Sequence, residues 1–595
     1  MGLFSEFKER CYAFVHVDVH PESFPIDAWS DPAYQTWFEN NRASAAELDG
    51  QRGARLAYEP FFSLIVPLYK TPLDYLHVMV GSVLAQTYGN FELVLVNASP
   101  ENEELAAEVE KYRMHDDRVK TVLLPDNLGI TENTNYGIAE ASGDFLCFLD
   151  HDDYLEPDLL YEYAKALNND PDIDVLYCDE DLVSFEKGRF VHLHPLFKPS
   201  YSPELLLCKN YIIHLMTIRR HIVDKMPTPN AQYDGAQDYN MVLYATSHAK
   251  KVHCVQKILY HWRISKNSTA ANPDAKPYSR RAYRLSAQNQ LDRKWPRARI
   301  VSSGIVNIHN LWFAAEHSVK ISIIVDCVSQ AALDHFVEMF NQTNSYRNFE
   351  IIAVSTAHLH ATKLLASQSF FSVLSDANSS VFSRFNKGAE HASGEYLLFV
   401  DGGCFFLTPE PLEQLLSLCE GEGVGAVAPK SLFCDGSTMC YGIAVTSKRI
   451  MPLYRGYPDD FPGYQCNLRA FQNFSAVAYR GMLTPKKQFS QVGGFNELFE
   501  GEIGTADYCK RLARTGCRVV QTPTVKIQSS ERSEESRYEN DSNAPDFTEA
   551  DTALFDRLWP GERAKGDPYV NRNLDQSSCY MQIAKFSRTG SVKQS

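Results

Sequence analysis

Residues 145–153, FLCFLDHDD, run an apolar stretch into four ionisable side chains, and that junction is where chemistry is first sought. On an extended chain successive side chains face opposite ways, so Asp150 and Asp152 are expected to point together and His151 away from them. Two hard oxygen ligands at a strand end suit Mg²⁺ or Mn²⁺, which favour carboxylate and phosphate oxygens and keep several waters. A cation held there would neutralise charge on a departing diphosphate. The plainer reading is a solvated turn in which Asp152 or Asp153 caps whatever helix follows Pro157. Acids placed where a buried strand meets a ligand crevice favour the metal.

A hydroxyl nucleophile also needs a base. In DGAQDYN, Asp238 stands just before the helical stretch MVLYATSHA, where the helix dipole favours the ionised form that a base requires. An N-cap is the competing reading. Further on, YHWR offers His261, either a third metal ligand or a core histidine beside Trp262.

The elements that must position these residues read as alternating strands and helices. FFSLIVPLY (61–69), closed by Pro67, has the composition of a buried parallel strand. There follow a helix LDYLHVMVGSVLAQ, a strand FELVLV, a polar turn, an amphipathic helix, a strand VKTVLL, a loop PDNLGIT and the helix NTNYGIAEA before FLCFL. Such alternation implies an α/β, Rossmann-like, mostly parallel sheet that binds ligands outside its carboxyl ends. The order returns from residue 319, and ASGDFLCFLDHDD (141–153) recurs as ASGEYLLFVDGGC (392–404). Asn135 and Gly137 recur as Asn386 and Gly388 at the same offset of 251 positions. A whole domain has been duplicated; solenoid repeats have periods of only about 20 to 50 residues. The expected organisation is a helical preamble (1–60), a catalytic domain (61–290), a connector (291–318), a second domain (319–540), and a C-terminal helix with a frayed polar tail (541–595).

At 595 residues the chain exceeds one hydrophobic core, and its net charge of −16 provides no basic field for a nucleic-acid backbone, so nucleic acid is not an expected partner. The start, MGLFSEFKERCYAF, lacks the pattern of a secretory signal, and no apolar run approaches the roughly 18 residues of a membrane span. The expected location is the cytoplasm. The 14 scattered cysteines read as reduced thiols. SRRAYRLSAQNQLDRKWPRAR (279–299) is the one strong basic cluster; it suits anionic headgroups, the simpler reading being a solvated helix face.

Together these stretches resemble the family 2 glycosyltransferases, inverting enzymes of the GT-A fold that use a nucleotide sugar and a divalent cation. The resemblance rests on SLIVPLYKTP, the block from DNLGITENTNYG to FLDHDD, YCDED (177–181), HPLFKPSYSPELLLCKNY (194–211), DGAQDY and KILYHWR. It is strongest to the tandem-domain branch that builds O-antigen, rhamnan and other surface polysaccharides, by hexosyl or rhamnosyl transfer. The resemblance implies that Asp150 and Asp152, flanking His151, form the metal and diphosphate site, with His261 as a further ligand to Mn²⁺ or Mg²⁺. It implies Asp238 as the base, Asp179 and Glu180 near the sugars, and Pro67, Tyr69, Asn97 and Asn135 around the nucleotide. Asn97 stands where the family often has an aspartate, which leaves the base identity open. Implied partners are a nucleotide sugar, a glycan or lipid-linked oligosaccharide acceptor, and a peripheral contact at the inner face of the plasma membrane.

The second copy keeps scaffold motifs but has Gly403 in place of a metal-binding acid, Gly504 and Thr505 in place of an acidic pair, and no histidine in KIQSSER. A shifted register would set Asp507 opposite Asp238. The second domain is therefore expected to be non-catalytic. Two alternatives compete for the whole chain. One is a glycan-binding or scaffolding pseudo-glycosyltransferase. The other is a sugar nucleotidyltransferase, which would want a Gly-rich loop where PLYKTPLDY has no glycine.

Overall fold

The computed structural model describes residues 31–264, 277–305, 308–313, 319–361, 369–531, 533 and 547–584. The expectations for the chain start, the first half of the preamble and the closing SRTGSVKQS lie outside those residues. Strand β1, Phe62–Leu68, is buried at every position, so both its faces need cover. Leu64, Val66 and Leu68 pack with Leu76, Met79 and Val83 of the helix Leu73–Leu84. Ile65 faces the other way, against the helix Ile130–Glu140, where a side chain at Gly137 would come within 2.4 Å of it. Glycine there lets helix and strand approach closely.

The remaining strands of the first sheet are β2 (Phe91–Asn97), β3 (Val119–Leu123), β4 (Phe145–Phe148), β5 (Tyr154–Leu155), β6 (Ile173–Glu186), β7 (Arg189–Leu196), β8 (Thr217–Arg219) and β9 (Lys251–Arg263). Their order is β3-β2-β1-β4-β8-β6-β9-β5, with β7 paired to β6. The β3-β2-β1-β4 half is parallel, and β8 joins it antiparallel. The second sheet repeats this order with strands Ser369–Leu374, Phe349–Ser355, Ile321–Asp326, Tyr396–Asp401, Met482–Pro485, Val424–Leu432, Arg518–Ser529 and Cys404–Phe406. Both are mixed α/β sheets with one strand order.

The recurring Ala-Ser-Gly has a physical cause in both halves. Glu92, 3% exposed, accepts hydrogen bonds from Ser63 Oγ (2.6 Å), Ser142 N (2.5 Å) and Ser142 Oγ (2.8 Å), and Gly143 N donates to Ser63 Oγ (2.7 Å). Glu350, Ser322, Ser393 and Gly394 repeat the arrangement at 2.6–2.8 Å. A side chain at Gly143 would meet the Ser63 hydroxyl at 2.6 Å, so the staple itself requires the glycine.

One apolar core runs through both sheets, from Ile65 and Val94 through Trp295, Leu311 and Phe313 to Ile323 and Phe471. The helix Pro277–Lys294 crosses residue 290 and feeds an antiparallel hairpin, Ala298–Ser302 with His309–Phe313, that packs between the domains. Polar ties cross as well: Arg518 to Glu204 (2.6 Å) and Ser202 Oγ to Asn473 Oδ1 (2.8 Å). The C-terminal stretch departs from the expected frayed tail, because Val570, Leu574, Met581 and Ile583 bury themselves with Tyr34, Trp37 and Phe197. Among the described residues no helix is long and apolar enough to cross a membrane.

Candidate active site

The carboxyl ends of β1, β4 and β6 open into a cleft of about 1770 Å³. Pro67 and Tyr69 line it beyond β1, Asp150, His151 and Asp152 beyond β4, Glu180 on β6, and Asp238 at the start of the helix Gln237–His248. Seven of the expected site residues are thus brought to one cavity.

The route by which the acids arrive differs from the alternation expected of an extended strand. β4 ends at Phe148, and residues 150–153 form a turn in which Asp153 N donates to Asp150 O (3.4 Å). Asp150 and Asp152 reach the cleft from that turn while Asp153 is fully buried, accepting from Arg263 N (2.8 Å) and from the Tyr260 hydroxyl. Burial raises the pKa of Asp153, and the neighbouring Asp152 and Asp150 charges raise it further. Burial likewise raises Asp152.

His261 does not join Asp150 and Asp152. Tyr260 and Trp262 both face His214, the first stacked at 4.4 Å and the second edge-on at 5.5 Å. Alternation along β9 then turns His261 to the other face. There it is fully buried between Asp181 Oδ1 (2.6 Å) and Glu156 Oε1 (3.2 Å), beneath Phe38 of the helix Asp31–Asn41. Burial alone would lower its pKa, but the Asp181 and Glu156 charges outweigh that and lift it to about 9. Tyr34 donates to Asp181 Oδ2 (2.8 Å) and Arg42 pairs with Glu156 (2.6 Å), so this network fastens the preamble to the first domain.

Three further expectations need correcting. Asp179 is fully buried and faces the C-terminal stretch, accepting from Asn571 Nδ2 (2.9 and 3.0 Å) and Lys198 N (2.8 Å); burial pushes its pKa up to about 7. Asn97 is buried at the end of β2 and accepts from Ser99 N (2.9 Å), a turn bond that keeps it off the cleft wall. Asn135 donates to Pro229 O (3.1 Å) and Glu132 (3.2 Å), and Asn386 donates to Phe495 O (2.9 Å) in the second domain. The recurring asparagine is a loop staple.

Three residues escaped the sequence reading. Lys198, fully buried, donates to Glu180 Oε2, Ile212 O and His214 O, each at 2.8 Å, and so sets the loop that carries His214 into the cleft. His214 Nδ1 lies 3.2 Å from Glu180, and its Nε2 lies 3.6 Å from Asp150. Burial would lower the His214 pKa; Glu180 and Asp150 reverse this and lift it to about 10. Arg263 lines the cleft at 5% exposure, its guanidinium 4.2 Å from the Tyr75 ring centre. Its Nε and Nη2 have no hydrogen-bond partner among the described residues, nor does His151 Nδ1. Buried donors left unpaired around two carboxylates fit a group that accepts hydrogen bonds. Arginine after a strand of apolar and aromatic residues was the available signal; His214 had none in local pattern.

Opposite, Asn210 Nδ2 donates to Asp238 Oδ2 (3.0 Å). Burial raises the Asp238 pKa, which outweighs the lowering by the backbone N–H groups of Tyr239 and Asp238 itself, and the N-cap position is held by Ala236. Beside it Thr131 Oγ1 donates to Asp234 Oδ1 (2.6 Å), and a side chain on Gly129, at φ +92°, would meet Asp234 Oδ2 at 3.1 Å.

Residues 63–225 match the sequence model described as Glycosyl transferase family 2. The chain is 29% identical over 555 residues to the uncharacterized protein y4gI of Sinorhizobium fredii, covering 90% of this chain and 60% of that one. It is 26% identical over 551 residues to the O-antigen biosynthesis protein RfbC of Myxococcus xanthus, covering 91% of this chain and 42% of the relative. The chain thus spans only part of the length of both curated relatives. A solved structure, S. aureus TarS 1-349 in complex with UDP-GlcNAc, is 24% identical over 39% of this chain and 67% of that one, with a TM-score of 0.32.

Proposed function

Starting from a chain that carries a family 2 glycosyl transferase domain at residues 63–225, we propose that its first domain moves a sugar from a nucleotide diphosphate to a glycan hydroxyl, with inversion. The acceptor is a growing surface polysaccharide or a lipid-linked glycan. The observation that carries this reading is one cleft with a diphosphate-type wall, Asp150, His151, Asp152 and Arg263, facing Asp238, a carboxylate held by Asn210.

In the reaction, the acceptor oxygen forms a bond to the anomeric carbon as the bond from that carbon to the diphosphate oxygen breaks. The hydroxyl proton passes to Asp238, which Asn210 holds in place. Burial raises Asp238, so a fraction of the enzyme is lost to the protonated form as pH falls. Arg263, with two unpaired donors, suits the negative charge that grows on the leaving diphosphate.

The donor set also fits a divalent cation: Asp150, Asp153 and His214 present one ligand atom each, all within 4.8 Å of one another. Mn²⁺ or Mg²⁺ bound there would supply positive charge beside the diphosphate. Arg280, Arg281 and Arg284 of the helix Pro277–Lys294 are exposed, which supports a peripheral contact with anionic headgroups.

Calorimetric titration of UDP, and separately dTDP, with Mn²⁺ tests the donor side. One site per chain, lost in Asp150→Ala, is expected. A site that survives the substitution unchanged, or no binding of either nucleotide, would overturn the assignment.

A further inference from the structure

The cleft is not lined by the first domain alone. Gln465 and Cys466, more than 250 residues from Lys209 in sequence, form part of its wall on the Asp238 side. They sit in a short turn, Tyr464–Arg469, entered through Gly463 at φ +71°. Both occupy the left-handed region, Gln465 at φ 51°, ψ 32° and Cys466 at φ 61°, ψ 23°. Consecutive non-glycine residues in that region are strained, and such strain persists only where the surroundings over-determine it.

The surroundings do so from the first domain. Lys209 Nζ donates to the Gln465 carbonyl and to Asn467 Oδ1 (2.7 Å), and Phe197 N donates to the Tyr464 hydroxyl (2.8 Å). Burial pulls the Lys209 pKa down to about 8, as for an ammonium enclosed by carbonyl oxygens without a carboxylate. The residue after Lys209 is Asn210, whose side chain holds Asp238 and whose N donates to Tyr283 of the cleft wall (2.6 Å). The turn of the second domain and the carboxylate of the first are therefore joined through two adjacent residues.

We infer that the second domain completes the acceptor subsite of the first. Gln465 presents an amide to the incoming sugar's hydroxyls, and the Lys209 clamp sets Asn210, a positioning residue, against Asp238. This rests on the function proposed above and names the part of the chain that chooses the acceptor. The groups facing Asp238 are His214, Asp150, Tyr239 and Tyr283, besides Asn210.

Gln465→Gly is the decisive variant, because glycine suits the backbone angles there and removes the side chain without threatening the fold. The probes are UDP with Mn²⁺ for the donor side, octyl glycosides of common hexoses and 6-deoxyhexoses as acceptors, and hydrolysis of UDP- and dTDP-sugars without acceptor. In Gln465→Gly the ratio of transfer to hydrolysis should fall by about tenfold through acceptor KM, with UDP affinity held. In Asn210→Ala the acid limb of donor hydrolysis should move to higher pH, since the carboxylate loses a donor, and Lys209→Met should move it the same way by less. An unchanged transfer ratio together with an unmoved limb in Lys209→Met overturns the inference and leaves the proposed function standing. A wild type that consumes no donor, or an Asp238→Asn variant that matches it, overturns the function itself.

Discussion

Pro67 and Asn133 leave the floor of the first cleft open, whereas the same two positions of the second domain hold Asp326 and Arg384, joined by two hydrogen bonds of 2.7 Å. The correspondence follows from strand register, because Phe62 pairs with Phe145 and Ile321 with Tyr396. Further along, Asp150-His151-Asp152-Asp153 becomes Asp401-Gly402-Gly403-Cys404. Asp401 Oδ1 accepts from Gly403 N (2.7 Å), closing its own turn, and a side chain at Gly403 would meet Ser530 Oγ at 2.9 Å. Ser530 stands where the first domain has Arg263, since Tyr154 pairs with His261 and Phe405 with Gln528. The base position is closed too. The helix Ile503–Arg514 carries Gly504 and Thr505 in its first turn where the helix Gln237–His248 carries Asp238, and a side chain on Gly504 would come within 2.2 Å of the Phe382 ring. Phe382 takes the position of Thr131. Asp507, the alternative base, is held by Arg511 (2.8 Å) and Trp559 Nε1 (2.9 Å). Apolar and ion-paired groups thus occupy in the second domain the volume that the first keeps open and polar, and such filling stabilises a fold.

This contrast can be broken by writing one domain's residues into the other. The largest effect is expected for Asp238→Asn, which should cut transfer by about 10²–10⁴ with the melting temperature nearly unchanged, while Asp401→Ala leaves the rate as it was. Equal losses from the two would show that both domains work. Arg263→Ser, copying Ser530, should lower turnover by about 10²–10³, with a smaller loss in Arg263→Lys. Nucleotide affinity and steady-state rates for the two variants check this.

In the reverse direction, Gly504→Asp should fail to create a base and should destabilise the chain by about 1–3 kcal/mol through overpacking on Phe382, read by chemical denaturation. A stable, newly active second site would contradict the filling argument. A smaller effect concerns Asp179, lifted to about 7 by burial and held by Asn571. Its folded pKa exceeds the unfolded one, so the folded chain keeps a proton that the unfolded chain has shed. Stability from this group is full below about pH 4 and is lost as pH rises through 7. Melting temperatures between pH 5 and 8 should slope less in Asp179→Asn. The smallest expected effect is on membrane contact: reversing the charges of Arg280, Arg281 and Arg284 should weaken flotation with anionic liposomes by about 1 kcal/mol per charge, and unchanged flotation would dismiss the contact.

Much of the scaffold was legible, because buried strands and recurring motifs leave local patterns. The apolar runs, the order of elements and the 251-position repeat all rest on side chains whose partners recur in sequence. Asp150, Asp152 and Asp238 were singled out by their position at the ends of those elements, and the structure brings all three to one cleft. His261 was found as a residue and misplaced as a ligand, although the alternation of Tyr260, His261 and Trp262 on β9 already separated it from its neighbours' face. Asn97 and Asn135 were assigned to the nucleotide, while their bonds turned out to be local turns and staples.

What the sequence determined by itself was the pair of α/β sheets, the duplication, and which copy retains acids at its strand ends, because hydrophobic periodicity and residue type are properties of the chain. Only the tertiary structure decided that His214 and Arg263 face those acids, that Phe382 packs against Gly504 at the start of the second domain's matching helix, and that Gln465 enters the first domain's cleft. Each of these depends on loops whose conformation is set by contacts hundreds of residues away, such as Lys198 on Glu180 or Lys209 on Asn467, and such contacts have no signature in local spacing.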